Sequence, residues 1–217
     1  EICSLVPGDC RIEDGELGGR PATWIKPVDA PADRAILYMH GGGYIGGSVL
    51  YSRNSASDLA RCCNWALASL DYRLAPEHPY PAAPQDVVNA YEDLLRQNYR
   101  AKQIVLAGES AGGGLALASV FALKKAGLPL PGAIIGLSPW CELTLDNITV
   151  QANNGKDIMV TADFLELAAN LYAAGQDRTE PSMSPLFGDF TDYPPLLLQV
   201  AAEELLMGEV ITLANKA

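Results

Sequence analysis

Five short, nearly continuous apolar runs occupy residues 36–39, 65–70, 103–107, 133–137 and 196–200. Runs of this length without polar alternation predict strands buried on both faces, as in a parallel sheet. Between them the apolar positions switch to helical spacing over 55–63, 85–97 and 115–126, with a last helical pattern at 209–216. The 115–126 pattern has Lys124 and Lys125 in its final turn and Gly127 just past its end, the charge and the stop that a helix C-terminus favours. Strands alternating with crossover helices predict an α/β, doubly wound fold. The rhythm is interrupted once. A polar loop at 151–157 leads into a helix with Thr161 as N-cap and Phe164, Leu165, Ala168, Leu171 and Tyr172 on one face, which is an amphipathic element.

Composition narrows the class. A chain of 217 residues fits one domain with a proper core, and no apolar run approaches the ~20 residues needed to span a membrane. A net charge of −11 argues against nucleic acid or an anionic membrane as partner. Five cysteines (Cys3, Cys10, Cys62, Cys63 and Cys141) are odd in number and show neither metal-ligand nor disulfide-framework spacing. Cys62 and Cys63 are therefore expected as buried or half-buried thiols, in a reduced, cytoplasmic compartment. No metal and no organic cofactor is implied.

The chemistry sits where strand meets helix. Gly108-Glu109-Ser110-Ala111-Gly112 follows the 103–107 run and precedes the 115–126 helix. A G-x-S-x-G in that context is a nucleophile elbow: flanking glycines permit the sharp turn that holds a serine hydroxyl out at the carboxyl end of a sheet. Upstream, the 36–39 run ends in His40-Gly41-Gly42-Gly43-Tyr44, the H-G-G-G loop whose bare amides can receive an oxyanion. A phosphate-binding loop would place a Lys after the glycines, and none follows here.

With these motifs, the segment Asp71-Tyr72-Arg73-Leu74-Ala75-Pro76-Glu77-His78-Pro79 resembles the bacterial hormone-sensitive-lipase-like esterases, as do Leu137-Ser138-Pro139-Trp140 and Ser184-Pro185-Leu186. The resemblance runs from about Gly19 to Ala217. It implies an α/β-hydrolase fold, a mostly parallel twisted sheet with helices on both faces and a partial helical cap at about 144–176, all in one domain over 1–217. It implies a serine carboxylesterase acting on small to medium acyl esters, with oxyanion amides from Gly42, Gly43 and Ala111, and structural roles for His40, Arg73 and Glu77. A homodimer is a further expectation.

A serine nucleophile needs a base, and the base needs an acid partner. In this fold the chain order is Ser, acid, His. The acid is expected after the 196–200 strand, where Glu204 stands in for the family's usual Asp; Glu203 is the neighbouring alternative. The two histidines, His40 and His78, both precede Ser110. The base is thus expected beyond Ala217, and the 217 residues read as a piece, incomplete at both ends and inactive alone. Ser110 would then pair with backbone, water or an acid such as Glu109 or Glu204. Two other readings share these motifs: a non-catalytic small-molecule binder on the same scaffold, and a lactonase or deacetylase differing only in pocket lining.

Overall fold

The computed structural model describes residues 9–217; Cys3 lies outside the described residues. Two antiparallel strands, β1 (Cys10–Leu17) and β2 (Arg20–Pro27), come first and are joined by Gly18 and Gly19 at positive φ. Then strands and helices alternate: β3 (Ala35–Met39), α1 (Arg53–Cys63), β4 (Ala66–Leu70), α2 (Ala82–Arg96), β5 (Ile104–Glu109), α3 (Ala111–Lys125) and β6 (Ala133–Leu137). After β6 come a short α4 (Ile148–Ala152), α5 (Ala162–Ala173), β7 (Leu196–Gln199) and α6 (Met207–Lys216).

The strands form one sheet in the order β1-β2-β4-β3-β5-β6-β7. From β4 to β7 all pairings are parallel, while β2 joins β4 antiparallel. Each predicted strand is present, and β3 and β4 are buried along their whole length, as a sheet covered by helices on both faces requires. Residues of α2 and α3 pack one face with Leu37, Leu106 and Ile134, while Ala56 and Ala60 of α1 cover the other with Ile36, Tyr38 and Leu67.

One element is added and two expectations change. The hairpin β1–β2 extends the parallel sheet with an antiparallel edge. β7 alternates between half-buried and exposed residues instead of being covered on both faces, and among the described residues it ends the sheet beside β6. Cys62 and Cys63, at the end of α1, are both exposed, whereas Cys141 is fully buried; the four described cysteines are free thiols.

Helix α5 starts where the sequence placed it. Thr161 accepts a hydrogen bond from the Phe164 amide at 3.2 Å, and Leu165, Ala168, Ala169 and Tyr172 are buried. Tyr172 stacks on Tyr44 with ring centroids 3.9 Å apart. That contact locks α5 against the loop that follows β3.

Candidate active site

The segments that leave the carboxyl ends of β3, β5, β6 and β7 line one cavity of about 920 Å³. They contribute Gly41, Gly42 and Gly43, then Glu109 and Ser110, then Ser138, then Glu203 and Glu204. Carboxyl ends of parallel strands are where α/β sheets place their sites, because loops there fan out around a crevice.

Ser110 has φ 53° and ψ −124° and is the residue just before α3. Its amide donates to the Leu137 carbonyl at 2.9 Å, and its own carbonyl accepts from Trp140 and Gly114, each at 2.9 Å. With both backbone groups used, the side chain is left facing the cavity half-exposed. Its hydroxyl has no hydrogen-bond partner among the described residues, and the expected acids are occupied elsewhere. Glu109 accepts from the Tyr38 hydroxyl at 2.9 Å and from the Gly41 amide at 3.4 Å. Glu204 Oε1 accepts from the Ser138 hydroxyl and from the Ala201 amide, both at 2.9 Å.

The glycine loop is tightly wound. The Gly42 carbonyl accepts from the amides of Ile45 and Gly46 at 3.2 and 3.0 Å. Gly42 has φ 122°, and a Cβ on it would lie 2.2 Å from the Gly46 carbonyl oxygen, so no other residue fits. Gly43 faces α5: a Cβ there would lie 3.1 Å from the Phe164 ring and 3.2 Å from Ala168. Ala111, fully buried, opens α3, whose first amides have no partner within the helix and carry the positive end of its dipole.

His40 is a fixed part of this loop. Its ring is fully buried and stacks on Tyr72 at 4.4 Å, its Nδ1 lies 2.8 Å from the Gly41 carbonyl, and the Tyr72 hydroxyl donates to the His40 carbonyl at 2.7 Å. Burial lowers the imidazole pKa below its ordinary value, which keeps the ring neutral. His78 is exposed in a turn. Among the described residues, no imidazole nitrogen lies within hydrogen-bonding reach of Ser110. In the same stretch, Arg73 pairs with the nearly buried Asp86 of α2 at 2.7 Å, tying the 71–81 segment to the core. Glu77 is exposed.

The two candidate acids differ in setting. Glu203 is exposed and makes no hydrogen bond among the described residues, while Glu204 is half-buried and doubly held. The hydroxyl that holds Glu204 belongs to Ser138 of the Leu137-Ser138-Pro139-Trp140 motif, whose contact with Glu204 the sequence does not disclose. Ser138 has φ 45°, a strained setting for a serine, and meets Glu204 across 66 positions of sequence. Glu209 is fully buried; its Oε1 accepts from the Cys141 amide and its Oε2 has no partner among the described residues. Burial pushes this carboxyl well above the usual range. No local pattern marks Glu209.

A family model described as the alpha/beta hydrolase fold matches residues 36–217. An acetyl-hydrolase of Streptomyces hygroscopicus is 39% identical over 213 residues, covering 98% of this chain and 70% of that protein. An esterase of Acinetobacter venetianus is 33% identical over 220 residues, covering 100% and 72%. Among solved structures, an esterase from the bacterial hormone-sensitive lipase family superposes with a TM-score of 0.94 at 39% identity, covering 97% of this chain and 71% of that one. With its strand-ending glycine loop, its serine elbow and these relatives, the chain belongs to the α/β-hydrolase fold family, among the hormone-sensitive-lipase-like esterases.

Proposed function

We propose that Ser110 is the nucleophile of a carboxylic ester hydrolase working through an acyl-enzyme. The observation that carries this reading is the strained Ser110 elbow opening into the same cavity as Gly42 and Gly43. Ser110 Oγ gives its proton to an imidazole and attacks the ester carbonyl carbon. The charge that develops on the carbonyl oxygen meets the amides of Gly42, Gly43 and Ala111. Each such donor is worth on the order of 10²–10³ in rate. Collapse of the tetrahedral intermediate breaks the acyl–oxygen bond, and the imidazolium protonates the departing alcohol. Water then attacks the acyl-serine with the same imidazole as base, releasing the carboxylic acid.

Glu204 is the acid that orients the imidazole, favoured over Glu203 by its two fixed hydrogen bonds. His40 is buried in loop structure and His78 is exposed in a turn, so neither is assigned the role of the base. Residues 144–176 serve as a cap, supported by the packing of Phe164 and Ala168 of α5 against Gly43. Small to medium acyl esters suit a cavity of this size, with Tyr51, Ile158, Met159 and Phe164 among its lining. The acetyl-hydrolase relative points the same way. The four free thiols agree with a cytoplasmic location, and a homodimer is the assembly to be read by sedimentation.

The test is turnover of short-chain p-nitrophenyl esters by the full-length protein. Ser110→Ala is expected to lower kcat by at least about 10³-fold, as loss of a triad nucleophile does. Turnover within a few-fold of the unsubstituted protein would refute the assignment.

A further inference from the structure

We infer that Asp157 and Asn153 are positioning residues that hold Glu204 in place from the segment overhanging the cavity mouth. The inference rests on the reading of Glu204 as the acid partner of the imidazole.

Inside the loop that carries Glu204, the one firm contact is the Ala201 amide on Glu204 Oε1 at 2.9 Å. The Glu204 amide reaches the Ala201 carbonyl and the Met207 amide reaches the Glu204 carbonyl, both at a long 3.3 Å. The loop's other firm backbone contacts come from residues about fifty positions earlier. Asn153, 7% exposed, donates through Nδ2 to the Glu204 carbonyl at 2.9 Å and to the Ala202 carbonyl at 3.2 Å. Asp157 Oδ2 accepts from the Leu205 amide at 3.0 Å. The Thr149 hydroxyl stands 2.9 Å from the Leu205 carbonyl and accepts from the Gly208 amide at 2.9 Å. The carbonyl and the amide of the Glu204–Leu205 peptide are therefore both held by side chains of one short segment.

Asp157 also shapes the mouth. Its other oxygen, Oδ1, accepts from the amides of Met159 and Val160 at 2.8 and 3.0 Å. Ile158 and Met159 line the cavity yet are 96% and 77% exposed. One carboxylate thus bridges the apolar rim and the residue next to Glu204. An acyl or alcohol group resting on Ile158 and Met159 loads the same carboxylate that sets the acid. Misplacing a catalytic group by about 1 Å costs on the order of 10² in rate, so the brace acts on kcat more than on binding.

The experiment measures kcat per active site in the full-length protein, with sites counted by stoichiometric fluorophosphonate titration. The variants are Asp157→Ala, Asn153→Ala, Glu204→Gln and the double variant Asp157→Ala/Glu204→Gln. The expected result is a loss of about 10- to 100-fold per titrated site in both Asp157→Ala and Asn153→Ala, with KM within threefold. Asp157→Asn, which keeps one acceptor oxygen, is expected to fall in between. In the Glu204→Gln background, Asp157→Ala should cost nothing further, because it acts through the lost carboxylate. Fewer titratable sites with unchanged kcat per site, or additive losses in the double variant, would mean that the segment only supports folding, and would overturn the inference. Full turnover in Glu204→Gln removes the acid assignment and this inference together. A collapse in Glu204→Gln with unaffected Asp157→Ala and Asn153→Ala overturns the inference alone.

Discussion

At the residue scale, two side chains are held in settings that an isolated peptide would avoid. Ser110 keeps φ 53° because Leu137 and Trp140 clamp its amide and carbonyl from the strand exit next door. Non-glycine residues stay in such conformations only where their surroundings impose them, and these cluster at working sites. Glu209 is the second. It is buried completely, with one oxygen on the Cys141 amide and the other without a partner among the described residues, and burial raises its pKa well above the ordinary value. Burial therefore makes the folded carboxyl hold its proton more tightly than the unfolded chain, where an ordinary glutamate ionises near pH ~4.3. Its stabilising contribution is therefore complete below that unfolded value and is lost as pH rises towards the folded value, at up to about 1.4 kcal/mol per pH unit. Glu209→Gln keeps the shape and removes the titration. Urea unfolding at pH 5 and pH 8 should show the unsubstituted protein losing more stability than Glu209→Gln over that interval. Parallel pH profiles for the two proteins would contradict a raised pKa at Glu209.

At the element scale, α3 packs closely against what precedes and follows it. A Cβ on Gly114 would lie 1.9 Å from the Trp140 carbonyl oxygen, so this helical glycine is set by contact with backbone. In an exposed helix, Gly→Ala stabilises by about 1 kcal/mol. Here Gly114→Ala is expected to destabilise by about 3 kcal/mol or more, since overpacking against backbone cannot relax by a side-chain rotation. Chemical denaturation reads the sign directly, and a gain in stability would show that α3 does not approach the 139–141 turn this closely. The same elements show what the sequence could disclose. β3, β5 and α3 were legible because their signals are local: apolar runs, flanking glycines and a charged last turn. Thr161 marked α5 in the same way. The β1 strand gave no buried run because most of its side chains are exposed or half-exposed, and α4, at five residues, is too short to show a period. Ser110 and the glycine loop were legible as contiguous motifs. The contacts of Ser138, Asn153 and Asp157 with the Glu204 loop were not, because each spans about fifty or more positions and sequence spacing carries no trace of such contacts.

At the scale of the whole molecule, the parallel order of β3, β5, β6 and β7 brings four distant loops to one edge of the sheet. The glycine loop, the serine, Ser138 and Glu204 each leave the carboxyl end of a different strand, so the site is a property of the topology and not of any one segment. Helix α5 and the 149–157 segment then enclose it from above, resting on Gly43 at one side and on the Glu204 loop at the other. The central claim is that this edge delivers a nucleophile to an oxyanion-binding loop, with Ser110 as the reacting atom's carrier. Its most direct test is reaction of the full-length protein with a fluorophosphonate, followed by peptide mapping of the adduct by mass spectrometry. A single covalent adduct on Ser110, absent in Ser110→Ala and accompanied by complete loss of ester hydrolysis, is the predicted result; an adduct on another serine, or hydrolysis that survives full modification of Ser110, would contradict it.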